Sequence, residues 1–400
     1  MALSQNANLT VLKLGYNNLG DVGIATLASG IAVHKSIISL DLGFNNCGDE
    51  GCKALASGMQ QAAARYNGGT IQTLYLAGNL IGEDGAIALA DFIRKGSSLS
   101  KLYLTGNRIG TQGVKSVTEA ILEDEFRREE SSSTSAETME EAAESKQPSS
   151  SKSISPTRSK SEEDLSRKFN GMQELFLGGT GLGNMGCQCV ARLIQKASYL
   201  KVISLPNCNI GDEEVGMLAA GIKLSRKSLP LGSVQLSFNS ITHRGLEILI
   251  NAIWGSSTLR ELKLDNNEIG DRGAHQISAI IPVLKTLEVL DVGFNSIKVG
   301  GLNVLMKAVA QSDHLNQLSI SGNEIDVAAS KAVAYALAYN QSLHSIFLVH
   351  CSVGHEAQRH ITAGIVSNSH TALRQLTGFH LGRKLPCVCS GWCHGFSSVL

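Results

Sequence analysis

The chain lacks a dominant charge: 35 Lys and Arg are matched by 35 Asp and Glu in 400 residues. That balance excludes the overall field that would draw a protein to nucleic acid or to an anionic membrane surface. No uninterrupted apolar run reaches the about 18 residues of a membrane helix. The opening segment Met1–Thr10 (MALSQNANLT) has neither a basic n-region nor an apolar h-region. A soluble protein of the cytoplasm, with the nucleus as the second compartment, is therefore expected. The phosphate-binding loop Gly-x-x-x-x-Gly-Lys-Ser/Thr is absent, as is the Gly-x-Ser-x-Gly nucleophile elbow. The nine cysteines are odd in number and irregularly spaced, and several fall in packed parts of the chain. They read as reduced core thiols rather than a disulfide framework.

What the sequence does have is a period. Units begin at Leu9, Ile37, Ile71, Leu99, Met172, Leu200, Leu231, Leu259, Leu287, Leu315 and Leu343, and seven of the ten intervals are 28 residues. Counting the first residue as zero, apolar residues recur at offsets three and five, as in Leu12/Leu14, Leu74/Leu76 and Leu290/Val292. This alternation marks a short strand with one buried face. Offset eight is Asn in eight units, from Asn17 and Asn45 to Asn295 and Asn323, and Thr180, Cys208 or Cys351 in the rest. A polar side chain at every turn can bond backbone groups that the turn leaves unpaired, so a ladder along the stack is expected. Gly-Asp pairs such as Gly20-Asp21, Gly48-Asp49 and Gly270-Asp271 follow, the acid suiting the N-cap of its own helix. Apolar residues at offsets eighteen and twenty-two, such as Leu27/Ile31 and Leu249/Ile253, mark the helix face.

One strand–turn–helix unit cannot hide its apolar stripe alone, but stacked units shield one another. Helices are about 10 Å apart and strands about 4.8 Å apart, so the stack is expected to bend. The predicted fold is an α/β right-handed solenoid of eleven units, a horseshoe with parallel strands on the concave face and helices on the convex face. The motif LxxLxLxxN/CxIGxxG, seen in "IQTLYLAGNLIGEDG" (Ile71–Gly85), resembles the ribonuclease-inhibitor-like class of leucine-rich repeats. Similar arrays occur in NACHT-type receptors, in the GTPase-activating protein of Ran and in free-standing arrays of protists and algae. The resemblance covers most of residues 1–381.

The 73-residue interval between Leu99 and Met172 interrupts the period. Residues 131–168 hold thirteen Ser, mixed charge and almost no large apolar side chain, a composition that cannot offset the entropy of ordering. The expected organisation is repeats one to four over 1–124, a disordered Ser/Glu-rich insert over 125–168, repeats five to eleven with a partial closing strand over 169–382, and an irregular tail over 383–400. Ser155, before Pro156, and Ser161, before Glu162-Glu163-Asp164, stand in phosphorylation contexts.

No catalytic constellation, cofactor site or metal site is assigned. Cys387, Cys389, Cys393 and His394 lack the paired Cys-x2-Cys spacing of a zinc site. "HEAQRH" (His355–His360) separates its histidines by five positions, which places the second imidazole roughly 140° around a helix from the first. A solvated helix face is expected there. Residues at offset four point outward from the strands, and Tyr75, Tyr103 and Phe176 should lie side by side on consecutive strands. Exposed aromatics anchor many protein interfaces, although Tyr and Phe also favour strands and pack on each other. Lys101 and Glu174 flank them, and Lys263 and Asp291, with Glu261 and Asp265, form a charged section farther along. Tyr16, Phe44, Phe238 and Phe294, just before the Asn position, are expected to pack on turns. The functional expectation is a non-enzymatic scaffold that binds a protein or peptide on the concave face. Resemblance to the Ran activator implies the alternative, a regulator of a Ran-like small GTPase; against it, residues 383–400 are not acidic.

Overall fold

The expected alternation of strand and helix is present throughout the computed structural model, which describes residues 2–6, 8–66, 70–144, 171–225 and 230–378. Two compact units divide the chain: Met1–Ile203 with Leu224–Pro230, and Ser204–Lys223 with Leu231–Leu400. In the first, α1 (Ala2–Gln5) precedes β1 (Val11–Lys13), α2 (Gly20–Ile31), β2 (Ser39–Asp41), α3 (Asp49–Arg65), β3 (Thr73–Tyr75), α4 (Glu83–Arg94), β4 (Lys101–Tyr103), α5 (Gly110–Glu144), β5 (Glu174–Phe176) and α6 (Gly183–Lys196). The strand β6 (Val202–Ser204) and the helix α7 (Asp212–Leu224) fall at the division. The second unit continues through β7 (Ser233–Gln235), α8 (His243–Ile253), β8 (Glu261–Lys263), α9 (Gly270–Ile280), β9 (Val289–Asp291), α10 (Val299–Ala310), β10 (Gln317–Ser319), α11 (Val327–Tyr339), β11 (Ser345–Phe347), α12 (His355–Ser367) and β12 (Gln375–Thr377).

Neighbouring strands pair in parallel and in chain order, β1 to β5 in the first unit and β7 to β12 in the second. Consecutive helices pack against one another within each unit. The middle residue of each strand from β2 to β12 is buried, as at Leu40, Leu74, Leu102 and Leu175, and the next buried position follows at Leu42, Leu76, Leu104 and Leu177. Helices bury offset fifteen in addition to the expected face, at Ile24, Cys52, Val114, Cys187 and Leu302. The described cysteines are free; Cys47, Cys52, Cys187, Cys208 and Cys351 are buried and Cys189 is half-buried. Cys47 takes the place held by Leu or Ile in other repeats, Cys208 and Cys351 the place of the turn Asn, and burial pushes the Cys47 thiol up to about 12.

Two ladders of hydrogen bonds tie successive repeats. In the first, Asn79 Oδ1 accepts from the backbone N–H of Asn45 and of Cys47, both at 3.0 Å, while its Nδ2 donates to the carbonyls of Leu42 and Leu76 at 3.0 and 2.9 Å. Asn45, Asn107, Asn239, Asn267, Asn295 and Asn323 repeat this role. The expected ladder is therefore present in both units.

The second ladder corrects the sequence reading of the acids. Asp49 lies inside the first turn of α3, whose N-cap Gly48 receives no side-chain bond from it. Its Oδ1 instead accepts from the N–H groups of Gly82 and Gly85, at 2.7 and 2.9 Å, at the start of the next repeat's helix. Asp21 does the same for Gly48 and Gly51, Asp212 accepts from Thr242 and Asp271 from Lys298. A carboxylate on the orphan N–H groups of a helix start satisfies them and complements the positive end of the helix dipole. The second Gly of the repeat follows from this contact: a Cβ at Gly85 would sit 2.8 Å from Asp49 Oδ1 and 2.8 Å from the Ile81 side chain.

The fourth repeat also differs from expectation. Its helix does not end at 124 but runs to Glu144, because Glu, Ala and Met in "AETMEEAAE" are good helix formers. Glu125 Oε2 accepts from the N–H of Ser198 at 2.9 Å, and Ser198 Oγ donates to Glu129 at 3.0 Å. Residues just past 124 are thus built into the first unit. The rest of the expected insert, with Ser155 and Ser161, and the tail with Cys387, Cys389, Cys393 and His394 lie outside the described residues. No helix among the described residues is long and apolar enough to cross a membrane.

Candidate protein-binding surface

Short strands with a buried middle residue leave two side chains each on the opposite face. In the first unit the register sets Asp41, Tyr75, Tyr103 and Phe176 in one row, with Thr73, Lys101 and Glu174 in the row beside it. The rings of Tyr75 and Tyr103 stack with centroids 3.6 Å apart and planes 11° apart; those of Tyr103 and Phe176 are 4.2 Å and 14° apart. Tyr75 ends the stack at 37% exposure, and the other two rings are half-buried. Lys101 Nζ lies 2.6 Å from Glu174 Oε1, and the Tyr103 hydroxyl donates to Glu174 Oε2 at 2.9 Å. Burial, with bonding to Tyr75 and the Glu174 carboxylate, raises the Tyr103 phenol above its ordinary range. All five predicted residues of this unit therefore meet in one cluster of three stacked rings and an ion pair.

Lys263 and Asp291 belong to the second unit and are a separate site. Glu261 accepts from Lys263 at 2.7 Å, from Ser233 at 2.5 Å and from Gln235 at 3.1 Å. Burial pushes the Glu261 carboxyl up, yet these bonds outweigh it and hold the group below its usual range. Asp291 is raised by burial and by the charge of Asp265, against the N–H of Gly293 that it accepts at 3.0 Å. A concavity of about 410 Å3 opens here, bounded by Lys263, Asp265, Asp291, Ser319, Phe347 and Val349 among others. Sequence reasoning found the charges but not the concavity, which Ser319 lines; Ser319 is the register partner of Asp291, as Tyr75 is of Asp41 in the first unit.

The turn aromatics adopt left-handed backbone: Tyr16, Phe44, Phe238 and Phe294 have φ of 62°, 55°, 55° and 52°. Tyr16 stacks on Phe44 at 4.4 Å. The Phe44 and Phe294 rings cover Gly78 and Gly322 of the following repeats, where a Cβ would collide. His355 is exposed on α12, whereas His360 Nδ1 lies 3.0 Å from Ser330 Oγ of the preceding helix, so it is not a purely solvated residue. No group of three or more His, Cys, Asp or Glu among the described residues is placed to hold a metal ion.

The family model for the Leucine Rich repeat matches residues 5–28, 33–56, 70–90, 97–117 and 255–278. The matched segments are leucine-rich repeats, and with the parallel strand–helix alternation and the Asn ladder the array is similar to that of the ribonuclease inhibitor. The human "Leucine-rich repeat-containing protein 73" is 31% identical over 125 residues, 31% of this chain and 40% of that protein. The mouse "NACHT, LRR and PYD domains-containing protein 12" is 31% identical over 111 residues, 28% of this chain and 10% of its own length. The mouse "Ribonuclease inhibitor" is 31% identical over 97 residues, 24% of this chain and 21% of its own. The chain thus spans less than half the length of these relatives. A chain of the yeast Rad7 and Elc1 complex superposes with a TM-score of 0.52 at 12% identity, covering 85% of this chain and 69% of that one, a likeness of fold.

Proposed function

We propose that this chain is a non-enzymatic interaction scaffold that binds a protein or peptide on its strand face, with Tyr75, Tyr103 and Phe176 as the contact centre and Lys101 and Glu174 at its side. The observation that supports this reading is the stack of three rings on three consecutive strands, open at Tyr75. Rings already held by one another lose little freedom when a partner covers them, and pre-organised aromatic anchors dominate many interfaces. The Lys101–Glu174 pair beside the stack offers both charges to the rim of a contact, where they set orientation more than strength.

The test is affinity capture from the native cells with the parent chain and a Tyr75→Ala/Tyr103→Ala/Phe176→Ala variant shown by circular dichroism to be folded. The variant is expected to lose the partners that the parent retains; equal recovery rejects the surface. GTP hydrolysis by Ran is expected to be unchanged when the chain is added.

A further inference from the structure

We infer that the concavity on the strand face of the second unit is a binding pocket for an arginine side chain presented by a peptide or protein. The inference deepens the reading of the strand face as a binding surface, but its residues are not those of the aromatic row.

The single cation of the pocket, Lys263, is held by Glu261 at 2.7 Å. The hydrogen-bond donors to the two aspartates are neutral: Asp265 accepts from Ser237 and from Asn266, and Asp291 from Gly293 and from the Ser319 hydroxyl, with the Lys263 charge also favouring its ionised form. Among the residues that line the pocket, Asp265 and Asp291 against Lys263 leave a formal excess of one negative charge, and Lys263 is already engaged by Glu261 outside the lining. The two aspartates oppose each other, and Asp291 is already pushed up by burial and by Asp265. A cation entering the pocket relieves both. Each carboxylate has about four lone-pair sites, so the bonds already made leave acceptors for a ligand.

Asp291, Ser319 and Phe347 are register partners on three adjacent strands, so a small residue separates the acid from the ring. The first unit carries the same order as Asp41, Tyr75 and Tyr103, where the middle position is filled by an aromatic ring. Ser319 is what opens the space of about 410 Å3, within the range of small-ligand pockets. Half-buried Phe347 and Val349 form an apolar wall on the side away from the aspartates. Acceptors on one wall and an aromatic face on another suit a group that is flat, cationic and rich in donors. Guanidinium has five N–H donors in a plane and stacks on aromatic faces, which a compact ammonium does less well.

The experiment titrates the full chain with Nα-acetyl-L-arginine amide and with its neutral isostere Nα-acetyl-L-citrulline amide, followed by saturation-transfer NMR. Arginine amide is expected to bind about tenfold more tightly or better, the factor for charge-assisted hydrogen bonds. The isosteric Asp265→Asn/Asp291→Asn variant is expected to lose that preference. Ser319→Tyr, which places in the pocket the ring that the first unit has, is expected to block both amides while the strand–helix signature in circular dichroism is kept. The Tyr75→Ala/Tyr103→Ala/Phe176→Ala variant is expected to bind arginine amide as the parent does, so the aromatic row and this pocket fail separately. Equal affinity for the two amides, no saturable binding of either, or an Asp265→Asn/Asp291→Asn variant that behaves as the parent overturns the inference.

Discussion

Replacing Asn79 by alanine is expected to cost far more than the same change at Asn17, although both occupy the same offset of the repeat. Asn79 is buried and its carboxamide serves four backbone groups: the N–H of Asn45 and of Cys47, and the carbonyls of Leu42 and Leu76. A buried backbone group left without a partner costs about 1–3 kcal/mol. Taking the low end for each group gives about 4 kcal/mol for Asn79→Ala. Asn17 is exposed, and its Nδ2 reaches the carbonyls of Leu14 and Gly15 where water can replace it. Asn17→Ala is therefore expected to cost no more than about 1 kcal/mol. Repeat stacks distribute stability over neighbour contacts and need not unfold in one step, so a global midpoint is the wrong readout. Native-state hydrogen exchange at the amides of Asn45 and Cys47 reads the loss where it occurs. Exchange there should accelerate by about three orders of magnitude in Asn79→Ala, following tenfold per 1.4 kcal/mol. If Asn17→Ala and Asn79→Ala differ by less than about 1 kcal/mol, the ladder is not what holds adjacent repeats.

Other outcomes follow from the same contacts. Gly85→Ala forces a methyl against Asp49 Oδ1 and Ile81 and is expected to cost about 1–3 kcal/mol; added to Asp49→Ala it should cost less, and additive effects in a double-mutant cycle would refute the contact. Burial raises the Glu125 carboxyl to about 7, with Glu129 and Asp124 adding to the rise and the Ser198 N–H and Arg128 opposing it. Because this group binds its proton more tightly folded than unfolded, stability falls as pH rises between its unfolded value near 4.5 and about 7. Glu125→Gln is expected to leave local stability at pH 5 nearly unchanged and to raise it at pH 8 by a few kcal/mol at most, read by native-state hydrogen exchange at the Ser198 amide in parent and variant at the two pH values; equal pH dependence in the two proteins would contradict the assignment.

The features legible in the sequence were those that recur with the period. Leu at offsets three and five and Asn at offset eight identified the strands and the ladder because every copy solves the same local problem. The row Tyr75, Tyr103, Phe176 followed from offset four alone, and the 73-residue interval did not disturb its register, since Tyr103 pairs with Phe176. What eluded the reading involves residues far apart in the chain. Asp49 suits its own helix by local rules, yet its partners Gly82 and Gly85 belong to the next repeat; the signal that could have shown this is Asp at offset twelve followed by Gly at offset fourteen one unit later. The concavity beside Asp291 was hidden for a similar reason. Ser319 is unremarkable in one strand and matters only because its neighbours in register are an acid and a ring. The continuation of α5 past 124 was masked by serine content, while Glu125 and Glu129 find their partner at Ser198, about seventy residues later.

Site-specific photo-crosslinking in the native cells shows whether the strand face meets a protein partner. A benzophenone side chain at Thr73, in the row beside Tyr75, is compared with one at Ile87, exposed on the helix α4. A discrete crosslinked partner is expected from position 73 that disappears when Tyr103 and Phe176 are replaced by alanine, with none shared with position 87. Crosslinks to the same partner from position 87 alone would contradict it.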